Sequence, residues 1–256
     1  MTKIKRILIS QPQPTTEKSP YFDLEKKYDV KLDFKPFIKI EPVPARDFRT
    51  QKVNPLDYTA VIFTAKAGID HFFRLRDEMR FTTPDTMKYF CTSEQISLYL
   101  QKYIAYRKRK VFFGDNGTLA ELAEIIKKHA DEKYMVVMSD VHDANKSVNE
   151  AKKDIIDYLD ESKVSYARAI MYKTVATDFT KEPDFDKYDM LVFFSPSGIN
   201  SLFTNFPDFK QGDTKIACFG PTTQKAAADN GLTVNVIPTP EFPSMPAAIE
   251  EFLKKQ

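Results

Sequence analysis

Tyr58-Thr-Ala-Val-Ile-Phe-Thr-Ala-Lys-Ala-Gly-Ile-Asp-His-Phe-Phe73 aligns without gaps on Tyr188-Asp-Met-Leu-Val-Phe-Phe-Ser-Pro-Ser-Gly-Ile-Asn-Ser-Leu-Phe203, 130 residues further along the chain. Tyrosine, phenylalanine, glycine and isoleucine recur at matching places. Lys88-Tyr-Phe-Cys91 matches Lys215-Ile-Ala-Cys218 at an offset of 127, and Leu122-Ala-Glu-Ile-Ile-Lys-Lys128 matches Ile249-Glu-Glu-Phe-Leu-Lys-Lys255 at the same offset. Upstream, Ile7-Leu-Ile-Ser10 corresponds to Val136-Val-Met-Ser139. Chance does not keep the order and near-constant spacing of such blocks, so the chain carries an internal duplication of about half its length.

Within each copy, short apolar runs lead into amphipathic stretches. Val61-Ile-Phe63 and Leu191-Val-Phe-Phe194 are continuous apolar runs between polar residues, as strands buried on both faces require. Each is followed by a glycine-containing turn and a helical pattern such as Ile199, Leu202, Phe203. Residues 119–128 and 151–159 also read as helices with one apolar face. Strand, turn and helix in repetition predict an α/β fold of two similar lobes, each a parallel sheet flanked by helices. In such sheets a ligand lies beyond the carboxyl ends of the strands, so the strand-to-helix turns are the place to look for a site. Phe34–Pro42 and Arg168–Thr174, extended by their proline and β-branched content, are the expected crossings between lobes, with a cleft between the lobes.

Composition excludes several classes. At 256 residues the chain suits one large or two small domains. Its 38 Lys+Arg against 36 Asp+Glu are too balanced to argue for nucleic acid or membrane. The longest apolar runs are strand-sized, far below a membrane span, and Ile7–Ser10 is too short for the apolar region of a signal peptide. Two cysteines, Cys91 and Cys218, make no disulfide framework and point to a cytoplasmic protein. The seven glycines assemble neither G-x-G-x-x-G nor a phosphate-binding loop, so nucleotide cofactors are not expected. The three histidines lack paired-ligand spacing; Asp140-x-His142-Asp143 reads as a solvated turn rather than a metal site.

A duplicated scaffold needs similar cores in both copies, whereas chemistry can be placed in one. The asymmetric polar positions therefore carry most information. Ala65 is matched by Ser195, Ala67 by Ser197, Ile38 by Tyr172, and Ser93-Glu-Gln-Ile96 by Gly220-Pro-Thr-Thr223. In each case the second copy holds the hydroxyl or the freer backbone. Gly220-Pro-Thr-Thr223, opening a helix at a strand end, would aim backbone N–H groups and hydroxyls at an anion.

Phe193-Phe-Ser-Pro-Ser-Gly198 followed by Lys215-Ile-Ala-Cys-Phe-Gly-Pro-Thr-Thr223 resembles the uroporphyrinogen-III synthase family. Met171-Tyr-Lys-Thr174 is similar to that family's Val-Tyr-x-Thr crossing, and Phe63-Thr-Ala-Lys-Ala67 to its Phe-Thr-Ser-Pro. The first copy departs from the pattern: Ala65 stands for the usual serine, Lys66 for proline, and Cys91-Thr-Ser-Glu94 for a glycine turn. The resemblance implies a discontinuous lobe of residues 1–36 and 174–256, a second lobe of 42–170, and crossings at 37–41 and 171–173. It also implies a lyase that closes hydroxymethylbilane, a linear tetrapyrrole with eight carboxylates, to uroporphyrinogen III, with loss of water and inversion of ring D. No metal or organic cofactor is implied. By the same resemblance Tyr172 assists departure of the hydroxyl, while Ser195, Ser197, Gly198, Thr222, Thr223, Lys215 and Thr64 bind substrate. The implied enzyme is a cytoplasmic monomer, with a transient contact to hydroxymethylbilane synthase and no nucleic-acid or membrane partner.

Plainer roles stand beside these. Tyr172 can be a packing residue, Ser195 and Ser197 can cap a helix, and Pro221-Thr-Thr223 can be helix-start grammar. Tyr103-Ile-Ala-Tyr-Arg-Lys-Arg-Lys110 reads as a solvated helix end before it reads as an RNA surface. Cys91 and Cys218 read as small apolar residues at strand ends. The rival functions are a non-catalytic bilobal binding protein for an anionic small molecule and an RNA-binding module.

Overall fold

The computed structural model describes residues 3–140, 153–179 and 187–255. The chain divides into two compact units, residues 1–39 with 175–256 (unit 1) and residues 40–174 (unit 2). Unit 1 contains β1 (Arg6–Ile9), α1 (Pro20–Tyr28) and β2 (Lys31–Phe34) from the start of the chain. Its remaining elements are β9 (Met190–Phe193), α7 (Pro196–Asn205), β10 (Lys215–Cys218), α8 (Pro221–Asp229), β11 (Val234–Val236) and α9 (Met245–Lys254). Unit 2 contains α2 (Ala45–Thr50), β4 (Ala60–Phe63), α3 (Lys66–Met79), β5 (Lys88–Cys91), α4 (Glu94–Tyr99), β6 (Val111–Phe113), α5 (Leu119–Lys127), β7 (Tyr134–Ser139) and α6 (Ile155–Ser162). Strands β3 (Ile38–Pro42) and β8 (Tyr166–Ala176) are those along which the chain passes from one unit to the other.

The five-stranded sheet runs β11-β10-β9-β1-β2 and the six-stranded sheet β3-β8-β7-β4-β5-β6. Every pairing within β11-β10-β9-β1-β2 and within β8-β7-β4-β5-β6 is parallel. The two orders are the same plan: β7 stands where β1 does, β8 where β2 does, and β4, β5 and β6 where β9, β10 and β11 do. The four repeated sequence blocks fall on these equivalent strands and on α5 and α9, so the duplication is structural as well as sequential.

Alternation along the strands explains the continuous apolar runs. In unit 2, Val61 and Phe63 belong to one buried cluster with Phe72 and Phe73 of α3, while Ala60 and Ile62 belong to another with Leu122 and Ile126 of α5. In unit 1, Ile7 and Ile9 pack with Leu24 of α1 and Ile249 of α9, and Leu8 packs with Ile199 and Leu202 of α7. Each sheet is thus covered on both faces, and each fully buried large side chain contributes about 1.5–3 kcal/mol.

Three sequence expectations change. The helix expected over 151–159 begins at Ile155, because Asp154 accepts the N–H groups of Ile156 and Asp157 while Asp157 accepts that of Asp154. Residues 151 and 152 lie outside the described residues, as do His142 and Asp143. The two expected crossings are not alike: residues 34–42 are broken around Pro36 into the end of β2 and all of β3, whereas 168–174 lie within the unbroken β8. The stretch 103–110 starts at a helix end, Tyr103 being the C-cap of the 3-10 turn Leu100–Lys102 that continues α4, but its basic residues lie beyond, in irregular chain and a second 3-10 turn, Lys108–Lys110. Its start is fastened by Asp70, whose carboxylate accepts hydrogen bonds from Tyr99 (3.0 Å), Tyr103 and Lys102 (2.9 Å). Cys91 and Cys218 are free thiols buried at the last positions of β5 and β10, and burial pushes both up to about 12. Among the described residues no helix is long and apolar enough to cross a membrane.

Candidate active site

The carboxyl edge of each sheet has a point where connections leave in opposite directions, between β1 and β9 in unit 1 and between β7 and β4 in unit 2. Such a point opens a crevice; Ser10 and Ser195 follow the flanking strands in unit 1, as Thr64 does in unit 2, where Ser139 ends β7.

In unit 1, Ser10 follows β1 and its N–H donates to Val192 O at 3.0 Å. Across from it, Ser195 is the N-cap of α7, its Oγ accepting the Gly198 N–H at 3.2 Å. The Ser195 hydroxyl proton remains available for donation. A Cβ at Gly198 would lie 3.4 Å from the Phe193 ring and 3.9 Å from Ser10 Oγ, within ordinary van der Waals contact. The Gly198 N–H is already used by the cap. Ser197 lies half-buried in the first turn of α7.

The next turn differs. Gly220, the N-cap of α8, has φ +81 and ψ 157, a conformation essentially reserved for glycine, and no side chain caps the helix. The N–H groups of Thr222 and Thr223 make no hydrogen bond among the described residues, while that of Gln224 closes on Gly220 O at 3.2 Å. No acidic residue occupies the first turn. This helix end therefore offers two backbone donors and the positive end of the helix dipole. Thr222 is exposed, whereas Thr223 is only 1% exposed. Lys215 is not brought to this site. It is the first residue of β10, paired with Met190, so it stands at the amino edge of the sheet, opposite the turns.

In unit 2, Thr64 follows β4 and its carbonyl accepts from Thr92 Oγ1 at 3.5 Å. Helix α3 starts at Ala65 with no side-chain cap, and Lys66, in its first turn, holds its ammonium 5.5 Å from the Tyr99 ring centroid. Helix α4 is capped, Ser93 Oγ accepting the Ile96 N–H at 3.4 Å. Tyr172 lies on β8 in register with Ser139 at the carboxyl edge. It is 7% exposed and stacked on His71 of α3, with ring centroids 5.2 Å apart and planes 16° apart. Burial raises its pKa, so the phenol stays protonated at neutral pH.

Several neighbours escaped sequence reasoning. Arg74 donates to His71 Nδ1 (3.2 Å), to Val43 O (2.8 Å) and to Met171 O (3.2 Å), tying the ring beneath Tyr172 to the backbone on either side. Burial, followed by the Arg74 charge, lowers the His71 pKa and keeps the ring neutral as an acceptor. Ser139 and Thr174 share a hydroxyl hydrogen bond of 3.0 Å, and Asp140 accepts the Thr174 N–H at 3.1 Å. Ser10 and Ser139 end matching sequence blocks, which was the available signal; nothing in the sequence marked Arg74. Among the described residues no three His, Cys, Asp or Glu side chains come together as a metal site.

Comparison with known proteins supplies the family. The family model for uroporphyrinogen-III synthase HemD matches residues 24–250. No curated relative matches the chain. Among solved structures, uroporphyrinogen-III synthetase from Helicobacter pylori is similar with a TM-score of 0.60 and 16% identity, covering 99% of this chain and 100% of that one. A mutant uroporphyrinogen III synthase from Thermus thermophilus gives 0.58 and 14% identity, covering 98% of this chain and 100% of that one. These likenesses show a shared fold, while the match across most of the sequence assigns the chemistry: this chain belongs to the uroporphyrinogen-III synthase family, the cyclising lyases of haem biosynthesis.

Proposed function

We propose that the two compact units divide the work on hydroxymethylbilane, unit 1 holding carboxylates and unit 2 carrying the group that helps the hydroxyl leave. The observation that carries this reading is the bare start of α8. Two unpartnered backbone donors, an exposed threonine hydroxyl and a helix dipole without an acidic neighbour suit the acetate and propionate arms of a polyanionic tetrapyrrole. The hydroxyls of Ser195 and Ser197, two and four residues after Phe193, add donors at the same sheet edge. Lys215 takes no part in this set. In unit 2 the uncapped start of α3, with Thr64 before it and Lys66 in its first turn, offers a second carboxylate position.

Tyr172 donates a hydrogen bond to the departing hydroxyl. Its raised pKa makes it a poor proton donor but a secure hydrogen-bond donor, which suits a substrate that ionises to an azafulvene cation with little help. Stacking on His71, itself tied down by Arg74, fixes the ring without occupying the phenol oxygen. The remaining task is to fold the bilane so that the substituted carbon of ring D is attacked and the spiro intermediate is held until it rearranges. Positioning of this kind supplies several kcal/mol of barrier reduction, about 7–11 at its best. The enzyme acts as a cytoplasmic monomer and receives the bilane through a transient contact with hydroxymethylbilane synthase.

Tyr172→Phe tests the division of labour. Removing the hydroxyl while keeping the stacked ring lowers kcat for hydroxymethylbilane roughly tenfold or more, with the thermal midpoint unchanged. A parental kcat returns Tyr172 to a packing role.

A further inference from the structure

Phe219 is 44% exposed, among the large apolar side chains that the fold leaves in solvent, and it stands between the end of β10 and the bare start of α8. Its ring stacks on that of Phe194, the residue after β9, with centroids 6.1 Å apart and planes 27° apart. Phe194 packs partly against the buried cluster beneath it, so the inner ring is anchored and the outer one is presented.

The repeat supplies an internal control. The offsets of 130 and 127 place Thr64 where Phe194 is and Thr92 where Phe219 is. The backbone does the same thing at both places: Thr92 N–H donates to Phe63 O at 3.2 Å, and Phe219 N–H donates to Phe193 O at 2.9 Å. In unit 2 the pair is closed, with Thr92 8% exposed and bonded to the Thr64 carbonyl. The scaffold therefore accepts two small residues at this corner. Unit 1 instead has two phenylalanines, the outer one 44% exposed.

We propose that Phe194 and Phe219 form an aromatic shelf on which one pyrrole ring of the linear tetrapyrrole rests while that ring's carboxylate arms reach the Thr222 and Thr223 N–H groups. A substituted pyrrole has an apolar face and two anionic arms. The shelf presents an exposed aromatic ring, and the residue after Phe219 begins the uncapped turn, so the two recognition elements adjoin in the order the ligand needs. The inference rests on the site proposed above and adds to it a subsite that selects for aromatic rings rather than charge. Ring stacking orients the pyrrole in its plane, which carboxylate contacts alone leave free to tilt.

The test is the steady-state kinetics of Phe219 variants with hydroxymethylbilane. Phe219→Ala raises KM roughly 3- to 10-fold, the loss expected for one ring–ring contact, with kcat within about twofold of the parent. Phe219→Tyr restores the parental KM, whereas Phe219→Leu, apolar but not aromatic, stays near the alanine value. Ile237→Ala, which removes another exposed apolar side chain of unit 1, leaves KM unchanged. A parental KM in Phe219→Ala, or full rescue by leucine, overturns the shelf while a parent that still forms isomer III leaves the site reading standing. A parent that does not enrich isomer III overturns the site reading itself, and the shelf with it.

Discussion

The two units share a strand order and a backbone path at the carboxyl edge, yet they finish their helices in opposite ways. In unit 1 the first of the paired helices, α7, is capped by Ser195 and the second, α8, is left bare at Gly220. In unit 2 the first, α3, is bare at Ala65 and the second, α4, is capped by Ser93. Each unit thus leaves one helix start without a side-chain cap and caps the other. The side chains around the uncapped ends differ as well: an exposed Phe219 stacked on a partly buried Phe194, with an exposed threonine, in unit 1, and a lysine near the Tyr99 ring in unit 2. Duplication supplied two copies of one crevice, and substitutions of one or two residues at its corners made them chemically unequal.

Four changes sharpen or break that contrast. The largest effect belongs to Gly220→Ala, which forces a side chain into a conformation costing about 1–3 kcal/mol. Chemical denaturation should show that loss together with reduced turnover, and an unchanged protein would mean the open end does not depend on glycine's freedom. Caps come next, with opposite signs in the two units. Ser195→Ala removes a bond that α7 uses and costs about 1 kcal/mol, whereas Ala65→Ser supplies the bond α3 lacks and gains a similar amount. Equal signs in thermal melts would show that the two helix starts are not inverted.

The smallest effect is acid sensitivity, which belongs to unit 2. Burial alone would raise the Asp70 pKa, but hydrogen bonds from Tyr103, Lys102 and Tyr99 outweigh it and hold the carboxyl below the usual range. Its folded pKa is therefore below its unfolded one, so its stabilisation is complete above the unfolded value and is lost as pH falls through the folded value. Asp70→Asn should flatten the fall in thermal midpoint below about pH 4, the ordinary aspartate range. An identical pH slope in parent and variant would remove Asp70 as the source.

Much of this architecture was legible in the sequence because duplication writes it twice. Val61-Ile-Phe63 and Leu191-Val-Phe-Phe194 read as doubly buried strands since both faces of a parallel sheet need apolar cover. The bare turn at Gly220 was legible too, since its glycine and lack of a capping side chain are local properties. Lys215, which the resemblance offers as a substrate-binding residue, stands at the amino edge of the sheet, with the length of β10 between it and the Gly220 turn. Thr223 and Tyr172 look equally polar in sequence, but helix and strand phase bury both side chains almost completely. The Arg74–His71–Tyr172 arrangement was hidden because it joins residues about a hundred positions apart without any periodic signal.

The central claim is that this chain governs how hydroxymethylbilane closes. The direct measurement is to supply freshly made hydroxymethylbilane to the purified protein, oxidise the products and resolve the uroporphyrin isomers. The account predicts isomer III in large excess, at a rate proportional to enzyme. Isomer I alone, the product of unassisted closure, at a rate independent of added protein, would contradict it.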